Sequence, residues 1–293
     1  MKTILKIGII LIILGAVSVT VFGLLAKPYL EEQLDYTDMA YDYEGNLFTT
    51  IELSFYNNPV IIKQSLDSQI HIDFKMDQYE EVVVSEENNT LSIIVTSDWW
   101  AQLRNPLNWF NFSNFGDMRT VTVELPSQLY TIEIKTSNGA ISIDELDLES
   151  AILSTSNGRV DVRDSNIPTL RLSSSNGKLY LNNVTSDTID LSTSNGEIEL
   201  INVTAEAIDG ETSNGPINAT GIESNDFRVS TSNGRIELSI NGLFADYKVK
   251  TRTSNGSVKI NGDSYGNDTY HESKVPYVEA VTSNGDIRII FED

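Results

Sequence analysis

A four-residue motif, Thr/Ser-Ser-Asn-Gly, recurs eight times in this 293-residue chain. Its Asn-Gly pairs stand at Asn138-Gly139, Asn157-Gly158, Asn176-Gly177, Asn195-Gly196, Asn214-Gly215, Asn233-Gly234, Asn255-Gly256 and Asn284-Gly285, in steps of 19, 19, 19, 19, 19, 22 and 29 residues. A fixed period of this length marks a stacked repeat architecture, in which each unit buries its apolar face only against its neighbours. Within a unit the apolar residues alternate, as in Arg235-Ile236-Glu237-Leu238 and Leu170-Arg171-Leu172-Ser173, which is the pattern of a half-buried strand. No stretch after residue 26 carries a 3.6-residue period. The chain is therefore expected to be all-β.

Two architectures fit two short strands and two turns per unit. In a type I′ hairpin around Asn233-Gly234, residues Val229, Thr231, Ile236 and Leu238 would share one face. A meander of hairpins, however, has no reason to keep five equal steps and the same tetrapeptide. A parallel β-solenoid (β-helix) does, because one inserted residue breaks register with both neighbouring coils. Coils of 19 residues have a perimeter of at most about 60 Å at roughly 3.3 Å per residue, which suits a flattened coil with a dry interior. Stacking would place Ile141, Val160, Leu179, Ile198 and Ile217 in one column. At the corner, Asn is expected to hydrogen-bond to the Asn above and below, and Gly to supply a positive φ. A second corner recurs at Asn182-Asn183-Val184, Ile201-Asn202-Val203 and Thr220-Gly221-Ile222. The longer last steps are read as loops growing from corners, including the polar stretch Gly262–Asp268, and the final strand Asp286–Phe291 must be paired or capped.

Residues 132–293 form the regular repeat region, and residues 48–131 carry less regular strands without the Asn-Gly corner. The latter read as divergent coils or a capping sheet, a separate β domain being the alternative. Within them, the segment 98–119 holds all three tryptophans, with Trp99, Trp100, Trp109, Phe110, Phe112 and Phe115 among loop-forming Asn, Ser, Pro and Gly residues. Such a cluster either plugs the end or side of the β core or forms an aromatic patch for lipid, a partner or a glycan.

Residues 7–26 are uncharged and mostly apolar, long enough for a transmembrane helix across a core of about 30 Å. Lys2 and Lys6 precede this span, whereas Glu31, Glu32 and Asp35 follow it. The positive-inside rule then places residues 1–6 in the cytoplasm and the bulk of the chain outside, beyond a polar stalk at 27–47. A cleaved signal peptide is the alternative, but Leu24-Leu25-Ala26 is a poor cleavage site.

The net charge of −22 argues against nucleic-acid binding and favours cationic partners at long range. The absence of cysteine excludes disulfides and thiolate metal sites. Only His71 and His271 are available as imidazoles, and there is no Gly-x-Ser-x-Gly elbow, so nucleophilic catalysis has little to work with. Paired carboxylates for glycoside chemistry are meaningless as a signal in stacked coils, where most acids have a neighbour a coil away. No EF-hand loop or nonapeptide calcium repeat is present. The expectation is a protein without catalytic residues, metal or cofactor.

The run Val121-Thr122-Val123-Glu124-Leu125-Pro126, followed by Ile132-Glu133-Ile134-Lys135-Thr136-Ser137-Asn138-Gly139 and the later Ser-Asn-Gly units, resembles the bacterial putative-adhesin proteins with β-strand repeats, a family defined by a domain of unknown function. The resemblance covers about residues 48–293. It implies a membrane-anchored protein of the cell envelope, akin to the Lia-type proteins associated with envelope stress in Gram-positive bacteria, and it supplies no catalytic or binding residues to transfer. The expected function is a non-enzymatic adhesion or interaction module whose partner is a protein or other envelope component. Capture of cationic antimicrobial peptides is the alternative, and a carbohydrate-acting enzyme a more distant one.

Overall fold

The computed structural model describes residues 36–97, 119–266, 269–271 and 276–292. The expected membrane helix at 7–26 lies outside these, and among the described residues no helix is long and apolar enough to cross a membrane. The described chain is all-β and solenoid-like, with only short 3-10 turns such as Gly45–Leu47 and Phe244–Asp246 besides the strands.

Each regular coil has an entry strand running into the Asn-Gly corner and an exit strand leaving it. Entry strands Thr131–Thr136, Ser150–Thr155 and Thr169–Ser174 pair in parallel, with residue i opposite residue i+19. The long strands Leu179–Thr193, Ile198–Thr212 and Ile217–Thr231 continue the same register through the exit face, around the second corner and on to the entry face. The column Ile141, Val160, Leu179, Ile198, Ile217 forms as expected and extends through Ile236, Ile287 and Val258, all at most 1% exposed. Removing such side chains from water stabilises by about 1.5–3 kcal/mol each, against the entropy of ordering them.

Every residue of the tetrapeptide has an assignable task at the corner. The backbone N–H groups of Ser156 and Asn157 both donate to the Ser137 carbonyl one coil below, and the pattern repeats up the stack. The Asn side chains form a ladder: Asn157, Asn176, Asn195, Asn214 and Asn233 each donate Nδ2–H to the Oδ1 of the Asn below at 2.6–2.8 Å. The buried Thr155 hydroxyl accepts from Gly158 N–H at 3.1 Å and donates to the Gly139 carbonyl at 3.0 Å, bridging two coils. The glycine has a different reason from the one expected. None of the corner glycines has a positive φ. A Cβ on Gly158, Gly177, Gly196, Gly215 or Gly234 would instead lie 1.6–1.8 Å from the carbonyl oxygen of the glycine below, so only hydrogen can occupy that position. The left-handed column is at the second corner, where Glu145, Asp164, Asn183, Asn202 and Gly221 have φ between 47° and 67°.

The coils do not stack in chain order at either end. At the C-terminal end, Tyr277–Thr282 and Ile287–Glu292 insert between the coil of residues 226–241 and the coil of residues 248–260. Asn284 accordingly bonds to Asn233 and receives Asn255, each at 2.8 Å. The longer steps are thus not loops on a sequential stack. The final strand lies between two others, which satisfies both of its edges. At the N-terminal end the coil of Thr50–Ser54 and Val60–Gln64 lies between residues 131–144 and the later coil of Thr90–Ser97 and Val121–Leu125. Its corner is Asn57-Asn58, and Asn57 takes the first rung of the ladder below Asn138.

Antiparallel strands close both ends. Glu80–Glu87 lies on Thr90–Ser97, and Gln69–Asp77 lies on Val121–Leu125. Part of the expected stalk is structured: Tyr36–Glu44 is a nine-residue strand on Gln69–Asp77. At the other end Asp263–Tyr265, within the expected polar excursion, folds back on Val258–Ile260, and Thr269–His271 pairs with Lys248–Arg252. Phe244 and Tyr247 pack on Phe291 at 5.3 and 5.0 Å between ring centres.

Gly196→Ala is expected to destabilise the protein by about 3 kcal/mol or more, because the new Cβ would clash with the Gly177 backbone below, which cannot turn aside as a side chain can. Gly266→Ala, where nothing lies within 4 Å of the new Cβ, is expected to leave the urea midpoint unchanged; equal effects would show that close stacking is not the constraint.

Candidate functional site

Trp99, Trp100, Trp109, Phe110, Phe112 and Phe115 lie outside the described residues, as does the whole segment 98–118. Both flanks are described. Thr90–Ser97 is an entry strand and Val121–Leu125 an exit strand of the outermost N-terminal coil. In the regular coils that transition is the four-residue corner, so the aromatic segment takes the corner's place in the chain.

The residue that follows it in sequence, Arg119, is held in the fold by several contacts. The Arg119 guanidinium, 15% exposed, pairs with the Glu80 carboxylate, 4% exposed, and lies 3.7 Å from Asp77. Glu80 also accepts the Asp77 N–H at 3.0 Å, and the Arg119 carbonyl accepts from Asn58 Nδ2 at 2.9 Å. The Tyr36 ring lies 5.9 Å from the guanidinium, tying the first described strand to the same point. A buried ion pair adds little net stability, since desolvation offsets attraction, but removing one partner leaves a buried charge.

A second feature is an open groove along the entry face. Small residues Thr169, Thr188 and Ala207 form its floor beside the longer column Arg171, Asp190, Asp209, Arg228. Arg171 pairs with Asp190 at 3.0 Å, and the Arg228 guanidinium donates two 2.8 Å hydrogen bonds to Asp226. Asp209 stands between them, and among the described residues its carboxylate has no hydrogen bond or ion pair. Burial in the groove wall, and then the like charge of Asp190, hold its carboxyl above the ordinary range. Beyond it, Tyr277 donates to Glu279 at 3.0 Å, and burial followed by that bond pushes its hydroxyl up to about 12. The exit face carries a compact cluster instead, with Arg159, Arg163 and Lys178 within 4.6–5.7 Å of the Tyr180 ring centre. Each of these cations is paired with Asp161, Glu197 or Glu199.

The third feature is His71, on the strand beneath Tyr36–Glu44. Its Nδ1 is 2.6 Å from Asp42 and its Nε2 is 3.1 Å from Asp67. Hydrogen bonds to Asp42 and then Asp67 raise the imidazole above its ordinary value of 6.5. Asp67 is held low, chiefly by the Gln69 backbone N–H and then by His71. His271 belongs to the strand paired with Lys248–Arg252, on the opposite end of the stack. No group of three or more His, Cys, Asp or Glu side chains suited to a metal occurs among the described residues.

Local sequence carried little signal for these sites. Arg119 and Glu80 are 39 residues apart, and His71 looks like any polar strand residue until Asp42 is paired opposite it.

A model of the Toastrack DUF4097 family matches residues 48–290. Among solved structures, the fold is similar to a putative adhesin from Parabacteroides distasonis, with a TM-score of 0.54, 15% identity, and coverage of 87% of this chain and 97% of that one. A putative adhesin from Bacteroides fragilis gives a TM-score of 0.50 at 16% identity, covering 87% of this chain and 97% of that one. One from Parabacteroides merdae gives 0.50 at 13% identity, with coverage of 87% and 96%. At these identities the likeness is one of fold. No curated protein matches the chain.

Arg119→Met is expected to cost about 3–5 kcal/mol in urea unfolding, and adding Glu80→Gln to restore much of it, because the penalty is an unpaired buried carboxylate; a double variant no more stable than the single one would contradict this. For His71, the folded pKa lies above the unfolded one, so its contribution is complete below about pH 6.5 and fades as pH rises through the folded value. His71→Gln should therefore lower the melting temperature at about pH 5 and leave it nearly unchanged at about pH 9. A larger loss at the alkaline end would refute that assignment.

Proposed function

The chain belongs to the Toastrack DUF4097 family, and from that premise we propose that it is a non-enzymatic interaction module of the adhesion type. In this reading residues 7–26 anchor it in the cell membrane, with the N-terminus inside, and the solenoid stands outside as a rigid spacer. The observation that carries the reading is how the repeat spends its groups. Thr hydroxyls, Asn amides and glycine surfaces of the corners are consumed in holding coil to coil, which leaves contact with a partner to what departs from the repeat. The foremost departure is the stretch containing Trp99, Trp100, Trp109, Phe110, Phe112 and Phe115, where the sequence concentrates its largest apolar side chains. Aromatic residues of this kind dominate binding energy at interfaces. A connection to envelope stress follows only from the family resemblance and is part of the same proposal.

One observation favours a second reading, capture of cationic peptides. The net charge of −22 draws cations at long range, and Asp209 offers the entry-face groove a carboxylate that no described residue pairs with.

Replacing Trp99, Trp100 and Trp109 together by Ala is expected to reduce retention on isolated cell envelopes by about tenfold or more, with the unfolding midpoint unchanged. Unaltered retention would assign those residues to a plug. Retention of a cationic peptide should fall steeply as salt shortens the Debye length from about 10 Å at 0.1 M to about 3 Å at 1 M; salt-independent capture would remove the electrostatic reading.

A further inference from the structure

The chain holds ten Asn-Gly pairs, at each of which a backbone nitrogen could attack the preceding side-chain amide; Asn241-Gly242 and Asn261-Gly262 lie outside the ladder, and the corner geometry does not treat the other eight alike. At Asn195 the amide is clamped on both sides: Nδ2 donates to Asn176 at 2.8 Å and Oδ1 accepts from Asn214 at 2.8 Å. Rotation of its side chain toward the following nitrogen breaks both bonds. That nitrogen, in Gly196, is itself buried and donates to Thr193 Oγ1 at 3.1 Å. The same tether holds the nitrogens of Gly139, Gly158, Gly177, Gly215 and Gly234 at 2.8–3.2 Å.

Asn255 differs in each respect. Among the described residues it is the outer end of the ladder, so it keeps one bond, from its Nδ2 to Asn284 Oδ1 at 2.8 Å, and no described amide donates to its Oδ1. Gly256 is only half-buried, and its N–H makes no bond to the Thr253 hydroxyl, which donates to the Gly285 carbonyl at 2.9 Å. Asn284 is intermediate, because both of its ladder bonds are present but Gly285 is half-buried and lacks the hydroxyl tether. The opposite end of the ladder is protected by sequence, since Asn57 is followed by Asn58 and not by Gly.

We propose that Asn255 is a site of spontaneous deamidation, and that the ladder shields the interior Asn-Gly pairs and yields from its C-terminal-coil end inward. Hydroxide removes the Gly256 amide proton, and the nitrogen forms a bond to Asn255 Cγ. The Cγ–Nδ2 bond breaks and ammonia departs, leaving a five-membered succinimide. Water then adds to one of its two carbonyls, opening the ring to aspartate or isoaspartate. The balance is one water consumed and one ammonia released, with no oxidant or reductant. The product carries a negative charge and can no longer donate to Asn284 Oδ1. Asn284 thereby becomes the next exposed rung.

The test is incubation of the full folded chain in mildly alkaline buffer, followed by tryptic mapping for the amide-to-acid mass change and for isoaspartate. Cleavage after Arg252 and Lys259 isolates residues 253–259, and cleavage after Lys274 and Arg288 isolates 275–288. Conversion in 253–259 is expected to be about tenfold or more faster than at Asn157 to Asn233, given the two hydrogen bonds missing at Asn255. Peptide 275–288 should follow second. In urea-unfolded chain the rates of the eight corner pairs should converge. Interior pairs that convert as fast as Asn255 in the folded protein, or an Asn255 rate no higher than theirs, would overturn the proposal.

Discussion

The approach of each corner glycine to the carbonyl of the glycine below is the contact on which this structure depends. It leaves no room for a carbon atom at that position. Once the backbones meet there, the Thr hydroxyl can bridge the two glycines and the Asn amides can meet in a ladder. The inward Ile, Val and Leu side chains are then carried into columns by the shared register. An extra residue in any one coil would displace all of these together, which is why the first five steps are identical. The interior is apolar and non-directional; the corner is directional and sets the register that the interior fills.

A stack of parallel strands has two open ends, and both are closed by similar means. Antiparallel strands cover the outermost coil at each end. The chain's own last strand is drawn inside, where both edges are satisfied. At the N-terminal end the closure also contains a buried ion pair, Arg119 with Glu80, at the residue that follows the aromatic segment in sequence. Remaining edges such as Tyr36–Glu44 and Glu80–Glu87 are rich in Asp and Glu, which discourages pairing with a further chain.

This division of labour bears on function. The regular coils form a stack whose polar corner groups are mostly satisfied internally. What varies along it is charge: a mixed groove lined by Arg171, Asp190, Asp209 and Arg228 on the entry face, and a closed network around Tyr180 on the exit face. The adhesion-type reading therefore rests on the family, on the stack of coils whose corner groups are used internally, and on the segment that stands in sequence where one corner would be. The six aromatic residues of that segment are legible in sequence as an anomaly, and only as that.

The period, the all-β character, the inward columns and the Asn ladder were legible in the sequence by itself, because each repeats at a spacing that local chemistry enforces. The family was legible for the same reason. Three things were decided only by tertiary structure. The reason for glycine is an inter-coil distance, which leaves no mark in a single unit, while positive φ falls at Glu145, Asp164, Asn183 and Asn202, where side chains conceal it. The order of the last coils is a competition between units of nearly identical inward pattern. Ile287 and Val258 both suit the column above Ile236, and no local rule chooses between them. Pairs such as Arg119–Glu80 and His71–Asp42 join residues 39 and 29 apart. They arise only once the cap strands are in place, for a repeat encodes its own contacts and not those of the segments that interrupt it.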